Sequence, residues 1–221
     1  EQRLKGKVST RQPLRLAIEC HSCIHWLAPA LKGFPEGHGG EIEFVTGQSF
    51  APQEALVHGE LDLVLTSDVQ PSDLLYYAPL FDYEMRLVLA PDHPLAEVEL
   101  ITPVLVASET LLSYPVASER LDVIRQFLQP ARLQPARIRQ GDNSLMLVQM
   151  AAAGWGVAVL PSWVSREFEQ QGVVVSRPLG DGLWRRLYGA QRLRDREDPA
   201  QLALLERIRL NSKHMVPLYS P

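Results

Sequence analysis

The spacing of hydrophobic residues along this chain switches repeatedly between two periods. Residues 14–20, LRLAIEC, alternate loosely and then turn apolar, as a strand buried in a parallel sheet does, and residues 24–34 carry apolar side chains at helical spacing. After the break GFPEGHGG the pattern predicts a strand over 41–45, a helix over 52–58 and a second apolar strand, LDLVLT, over 61–66. Strands separated by helices imply a parallel sheet with right-handed crossovers.

Two short apolar runs, 76–81 and 86–90, then lead to PDHPLA, whose two prolines end any strand there. Beyond it the alternation restarts, predicting a strand over 111–114, a helix over 120–128, a short strand at Ile138, a helix over 144–153 and a strand over 157–160. Short strands over 173–175 and 187–191 precede a last helix over 200–210, where Leu202, Leu205, Ile208 and Leu210 form an apolar stripe that would pack back on the first half. The charged stretch RLRDRED from Arg192 reads as a solvated loop. The resulting class is α/β, with two similar lobes whose strand C-termini and helix N-termini face a shared cleft, the kind of crevice that takes small ligands.

Composition narrows the partners. The 221 residues are 46% hydrophobic and 22% charged, enough for a core without metal or disulfide support. Lys and Arg number 22 against 26 Asp and Glu, and the net charge of −4 is the wrong sign for gripping a phosphate backbone. No apolar run reaches the roughly 18 to 20 residues of a membrane helix, and the polar start EQRLKGKVSTRQP is unlike a signal segment. Two cysteines three residues apart suit a reducing compartment, so the expected location is the cytoplasm.

Catalytic signatures are missing: there is no GxSxG elbow, GxGxxG or GxxxxGK[ST], and the glycines of AAAGWGVAVLPSW, 151–163, follow a helix and precede a strand, as a helix C-cap does. The chain is therefore read as a non-enzyme. Three turns at predicted helix starts, His21-Ser22-Cys23, Val116-Ala117-Ser118 and Asp142-Asn143-Ser144, are either ordinary N-caps or anion-holding turns with open N–H groups. Cys20 and Cys23, accessible if they sit at a helix start, are a ligand-contacting pair, a structural pair, or a redox or metal motif. The spacing of His25, His38, His58 and His93 supports no metal set, and no cofactor is expected.

The segments AIECHSCIHWLAPALKGF (17–34), GELDLVLTSD (59–68), RLVLAPDHPLA (86–96), GDNSLMLVQMAAAGWGVAVLP (141–161) and LGDGLWRRLYGA (179–190) together resemble the effector-binding domains of LysR-type transcriptional regulators. The pattern is carried by Leu27 and Pro29, by Gly59, Leu61 and Asp62, by His93-Pro94-Leu95, and by Gly154, Gly156 and Pro161, and departs from the family at 35–43 and 103–108. The resemblance covers roughly residues 13 to 191 and implies a two-lobed, periplasmic-binding-protein-like (type 2) fold, each lobe a mixed, mostly parallel sheet flanked by helices. Residues 1–12 would end a linker, 13–84 with 189–221 would form one lobe and 85–188 the other, and a winged helix-turn-helix would lie outside this chain.

Function follows from the same resemblance: an activator of methionine-biosynthesis genes with homocysteine as co-inducer in the cleft, dimeric through this domain and tetrameric at full length. Promoter DNA would be bound through the other domain, and RNA polymerase would be a further partner. Such a ligand needs an acidic group near its amine, and Asp68, at the end of the LDLVLT strand, is the candidate acid. Ser67, Ser22, Cys23, Ser118, Asn143 and Ser144 would face the carboxylate, with Cys20, His21 and Tyr114 near the thiol. The apolar face of Ile24, Leu27, Leu31 and Phe34 is the expected dimer surface. Competing classes are a periplasmic solute receptor of the same fold and a thiol-dependent enzyme using Cys20 or Cys23.

Overall fold

A computed structural model describes residues 12–19, 23–34, 41–45 and 52–212. The chain forms two compact units, one from residues up to Phe81 together with those from Arg186 through the last helix, the other from Asp82 to Arg185.

In the first unit, β1 (Leu14–Ile18) pairs in parallel with β2 (Ile42–Phe44) on one side and β3 (Leu63–Thr66) on the other, with Leu14 opposite Ile42 and Leu16 opposite Leu63. The helices α1 (Ile24–Ala30) and α2 (Pro52–Val57) supply the crossovers. The chain leaves this unit within β4 (Leu75–Leu89) and returns within β8 (Val175–Arg192), whose end pairs antiparallel with β3, Val64 opposite Ala190. Ala17, Leu56, Leu61, Val64, Leu75 and Ala190 make a shared core.

The second unit is built on β4, β7 (Val157–Pro161), β5 (Thr110–Ser113) and β6 (Arg137–Gln140) in that order. β4 runs antiparallel to β7, while β5 is parallel to both β7 and β6. Along β5, β7 and the end of β4 both faces of this sheet are buried, while β6 at the edge is exposed: Leu87, Leu89, Leu111 and Val157 pack on one side, and Val88, Leu112, Ala158 and Leu160 on the other, against Leu147 and Val148 of α4 (Ser144–Ala152). That is why these strands read as unbroken apolar runs. Gly154, at φ +69°, closes α4, and Gly156, at φ +150°, lies so close to the Thr110 carbonyl that a Cβ would stand 2.2 Å from its oxygen.

Several local expectations are corrected. The runs at 76–81 and 86–90 belong to one 15-residue strand, and those at 173–175 and 187–191 fall in or beside one of 18 residues, which Pro79 and the Pro178 to Gly182 stretch do not end. The helix over 120–128 is a 3-10 turn, Ser118–Arg120, followed by a π-helical turn, Val123–Leu128. Two short helices, α3 (Pro103–Ala107) and α5 (Ser162–Gln170), stand where the pattern predicted no element. In α6 (Pro199–Asn211) the buried stripe is Gln201, Leu204, Leu205 and Ile208, while Leu202 and Leu210 are exposed.

Two surface readings change as well. Leu27, Leu31 and Phe34 are buried inside the first unit, which leaves only Ile24 of that stripe exposed, so the expected dimer face is mostly core. Nor is the stretch from Arg192 simply solvated: Arg192 is half-buried in a polar network, and Asp198 caps α6 by accepting from the Ala200 and Gln201 N–H groups at 2.9 and 3.0 Å.

Candidate ligand-binding site

Parallel pairing puts the C-termini of β1 and β3 side by side, and the Glu19 N–H donates to the Leu65 carbonyl at 3.1 Å. The polar residues that follow each strand therefore meet. The Thr66 hydroxyl, almost fully buried, donates to the Glu19 carboxylate and accepts from the Asp68 N–H at 2.9 Å. From α2, Gln53 donates its Nε2 to the Asp68 carbonyl at 3.3 Å, while its Oε1, also buried, has no hydrogen-bond partner. Ser67 and Asp68 are half-buried.

Tyr77 of β4 stands beside this cluster. Its hydroxyl accepts from the Gln70 N–H at 3.2 Å, and its ring meets Tyr188 edge-on with centroids 6.3 Å apart. Burial pushes the phenol's pKa up against the opposing Gln70 hydrogen bond, and the charges of Asp68 and Glu19 push it further. Both carboxylates thus act on one small volume.

In the second unit the turn after β6 gathers three of the expected residues. The Tyr114 and Ser144 hydroxyls lie 2.7 Å apart, and Asn143 is the N-cap of α4, its Oδ1 accepting from the Met146 N–H at 2.9 Å. This side chain makes the ordinary capping bond, and Ser144 is buried at the helix start. Ser118 opens the separate 3-10 turn. Just beyond it, the buried Asp122 carboxylate accepts from Arg125 at 2.8 Å, Gln126 at 2.7 Å and Arg185 at 2.7 Å, tying that turn to β8.

Cys20, His21 and Ser22 lie outside the described residues. Cys23 is fully buried at the start of α1 with no capping bond, which corrects the expectation of an accessible thiol there. The residues that sequence reasoning missed are Glu19, Thr66 and Gln53. Thr66 carried a signal, a lone hydroxyl ending an apolar strand; Gln53, a polar residue in a short helix, carried none.

A cavity of about 270 Å³ opens at the opposite ends of β1 and β2, lined by Gln12, Arg15, Asp62, Arg192, Asp195 and Gln201 among others. Its two arginines are paired with acids in its lining: Arg15 donates its Nε and Nη2 to Asp62 at 3.0 and 2.9 Å, and Arg192 reaches both Asp62 and Asp195. These contacts make it a structural crossing point. His93 of the HPL motif is likewise scaffold, its Nδ1 accepting from the Leu95 N–H at 3.1 Å.

Two α/β units on mixed sheets, with polar turns collected where strands end, define the periplasmic-binding-protein-like fold class. The chain belongs to the LysR substrate binding domain family, whose model matches residues 8–212. It is 53% identical over 205 residues to the HTH-type transcriptional regulator MetR of Escherichia coli (strain K12), an alignment covering 92% of this chain and 64% of that protein. MetR of Haemophilus influenzae is 33% identical over 185 residues, covering 82% of this chain and 59% of its own. The chain thus spans less than two-thirds of these relatives.

Among solved structures, the regulatory domain of NMB2055 (MetR), a LysR family regulator from N. meningitidis, superposes with a TM-score of 0.80 at 33% identity, covering 93% of this chain and 96% of that one. The reduced OxyR regulatory domain from Pseudomonas aeruginosa, at 21% identity and a TM-score of 0.76 over 97% and 100% of the two chains, shows the same fold. Among the described residues no helix is long and apolar enough to cross a membrane.

Proposed function

We propose that this chain is the co-inducer-sensing domain of a cytoplasmic LysR-type regulator of methionine-biosynthesis genes and that its co-inducer is homocysteine. The full-length regulator binds promoter DNA through an N-terminal winged helix-turn-helix, acts on transcription with RNA polymerase, and assembles through this domain as a dimer and at full length as a tetramer. The observation that carries the reading is the polar cluster at the ends of β1 and β3 in a domain so similar to MetR proteins. An amino acid brings an ammonium and a carboxylate, and needs acceptors for the first and N–H or O–H donors for the second. Asp68 and its neighbours supply acceptors, and Ser67, Tyr114, Ser118, Asn143 and Ser144, with Cys20, His21 and Ser22, are the candidates for the remaining contacts.

Titration calorimetry of the purified domain with homocysteine tests this. Binding that weakens in Ser67→Ala and Asp68→Asn supports the assignment; unchanged heats in both variants remove those residues, and a folded domain that binds no homocysteine removes the co-inducer. Methionine should bind more weakly, since one added methyl in a close-packed site costs about 1 to 3 kcal/mol.

A further inference from the structure

The reading above leaves open which acidic group receives the ligand's ammonium, and two carboxylates stand at the right place. We infer that Glu19, oriented by Thr66 and completed by the side-chain oxygen of Gln53, is the ammonium-binding residue, so that the site selects α-amino acids over the same acids without the amine. This rests on the proposal that the ends of β1 and β3 bind an amino acid.

Three observations converge. The first is orientation: the Thr66 hydroxyl donates to the Glu19 carboxylate from a side chain only 1% exposed, which pins one carboxylate oxygen on the strand framework before any ligand arrives. Asp68 joins the same cluster through its backbone, with its N–H on Thr66 and its carbonyl on Gln53. The second is the orphaned oxygen of Gln53. This side chain is 5% exposed, its amide nitrogen is committed to the Asp68 carbonyl, and its Oε1 is an acceptor with no donor, shut off from bulk water. A native fold rarely leaves such an atom without a use.

The third is the matching chemistry. An ammonium has three donors and no acceptor, so it suits a carboxylate flanked by a neutral amide oxygen. The raised pKa of Tyr77, to which burial contributes most and Asp68 and Glu19 add, marks the same spot as one that favours positive charge and keeps the phenol neutral.

The test is calorimetry of the domain with two probes, homocysteine and 4-mercaptobutanoate, which has the same thiol and carboxylate and no amine. Wild type should prefer homocysteine by about 100-fold. Glu19→Gln should lose about 30-fold in homocysteine affinity while leaving 4-mercaptobutanoate unchanged, the loss expected for charge-assisted hydrogen bonds. Gln53→Met, which keeps the volume and removes the acceptor, should lose about fivefold on homocysteine alone, the scale of one weaker hydrogen bond. In Asp68→Asn the preference should fall less than in Glu19→Gln.

A Glu19→Gln domain that melts like wild type and still prefers homocysteine fully would overturn the inference, as would equal weakening of both probes. Those outcomes leave the homocysteine reading standing. Wild-type domain that binds neither probe would defeat that reading and this inference with it.

Discussion

Arg192 and Asp62, 130 residues apart in the chain, meet at 3.0 Å, and Asp62 also takes the Arg15 guanidinium and the Arg15 N–H. Arg192 further donates to the Leu56 carbonyl at 3.1 Å and to the Leu61 carbonyl, so one cation ties β8 to the α2–β3 loop while Asp62 joins it to β1. The network closes the first unit where the chain returns to it.

This arrangement makes a pH prediction. Burial alone would push the Asp62 carboxyl up, but the hydrogen bonds from Arg15 and Arg192 outweigh it and hold the carboxyl below its ordinary value, while the Arg15 guanidinium is raised by its bond to Asp62. A carboxyl with a depressed folded value contributes stability that is complete above its unfolded pKa of about 4 and is lost as pH falls through the folded value. Asp62→Asn should destabilise the domain by about 2 kcal/mol at pH 7, because it removes the carboxylate shared by Arg15 and Arg192 and leaves Asp195 as the one acid on Arg192. Urea unfolding at pH 7 and pH 3.5 should show a smaller pH difference in the variant; equal differences would place the acid sensitivity elsewhere.

Gly156→Ala should be among the most damaging single changes. Its φ is unsuited to an L-residue, and the new methyl would meet backbone at Thr110 rather than a side chain that can turn away. A loss of about 3 kcal/mol follows from strain and overpacking together. Gly154→Ala, with the same kind of φ but nothing within 4 Å, should cost about 1 kcal/mol, close to a C-cap penalty. Thermal melts of the two variants measure the difference, and equal melting points would refute the packing argument.

Tyr114 and Ser144 offer a double-mutant cycle. Each of Tyr114→Phe and Ser144→Ala should cost about 1 kcal/mol, and the double variant should cost clearly less than their sum, because either change already breaks the shared bond. Asn143→Ala should cost about 1 kcal/mol through its cap and add independently. A coupling near zero between Tyr114 and Ser144 would show that their contact contributes little.

DNA binding is predicted to be absent from this domain alone. Its charge of −4 repels a phosphate backbone, and neither described unit supplies a winged helix. A mobility shift with promoter DNA at physiological salt should show no retardation. Sequence-specific binding below micromolar would contradict it.

Fold class and family were legible in the linear pattern, because the features that carry them are local. Burial on both faces turns a strand into an apolar run such as VAVLP, a helix start needs an acceptor such as Asn143, and the sharp exit from α4 needs Gly154 and Gly156. What only tertiary structure decided are the meetings between distant residues. Glu19 and Thr66 are 47 apart and Tyr114 and Ser144 are 30 apart, and neither pair has a spacing that a sequence pattern could register. The same holds for the stripe of α6, where Leu205 and Ile208 are buried as expected but Gln201 and Leu204 are buried in place of Leu202 and Leu210, on the side that meets α1, where Arg207 donates to the Ala30 carbonyl at 2.6 Å. Periodicity belongs to the backbone and can be read from one segment at a time, whereas a site belongs to strand register, which exists only once the sheet has formed.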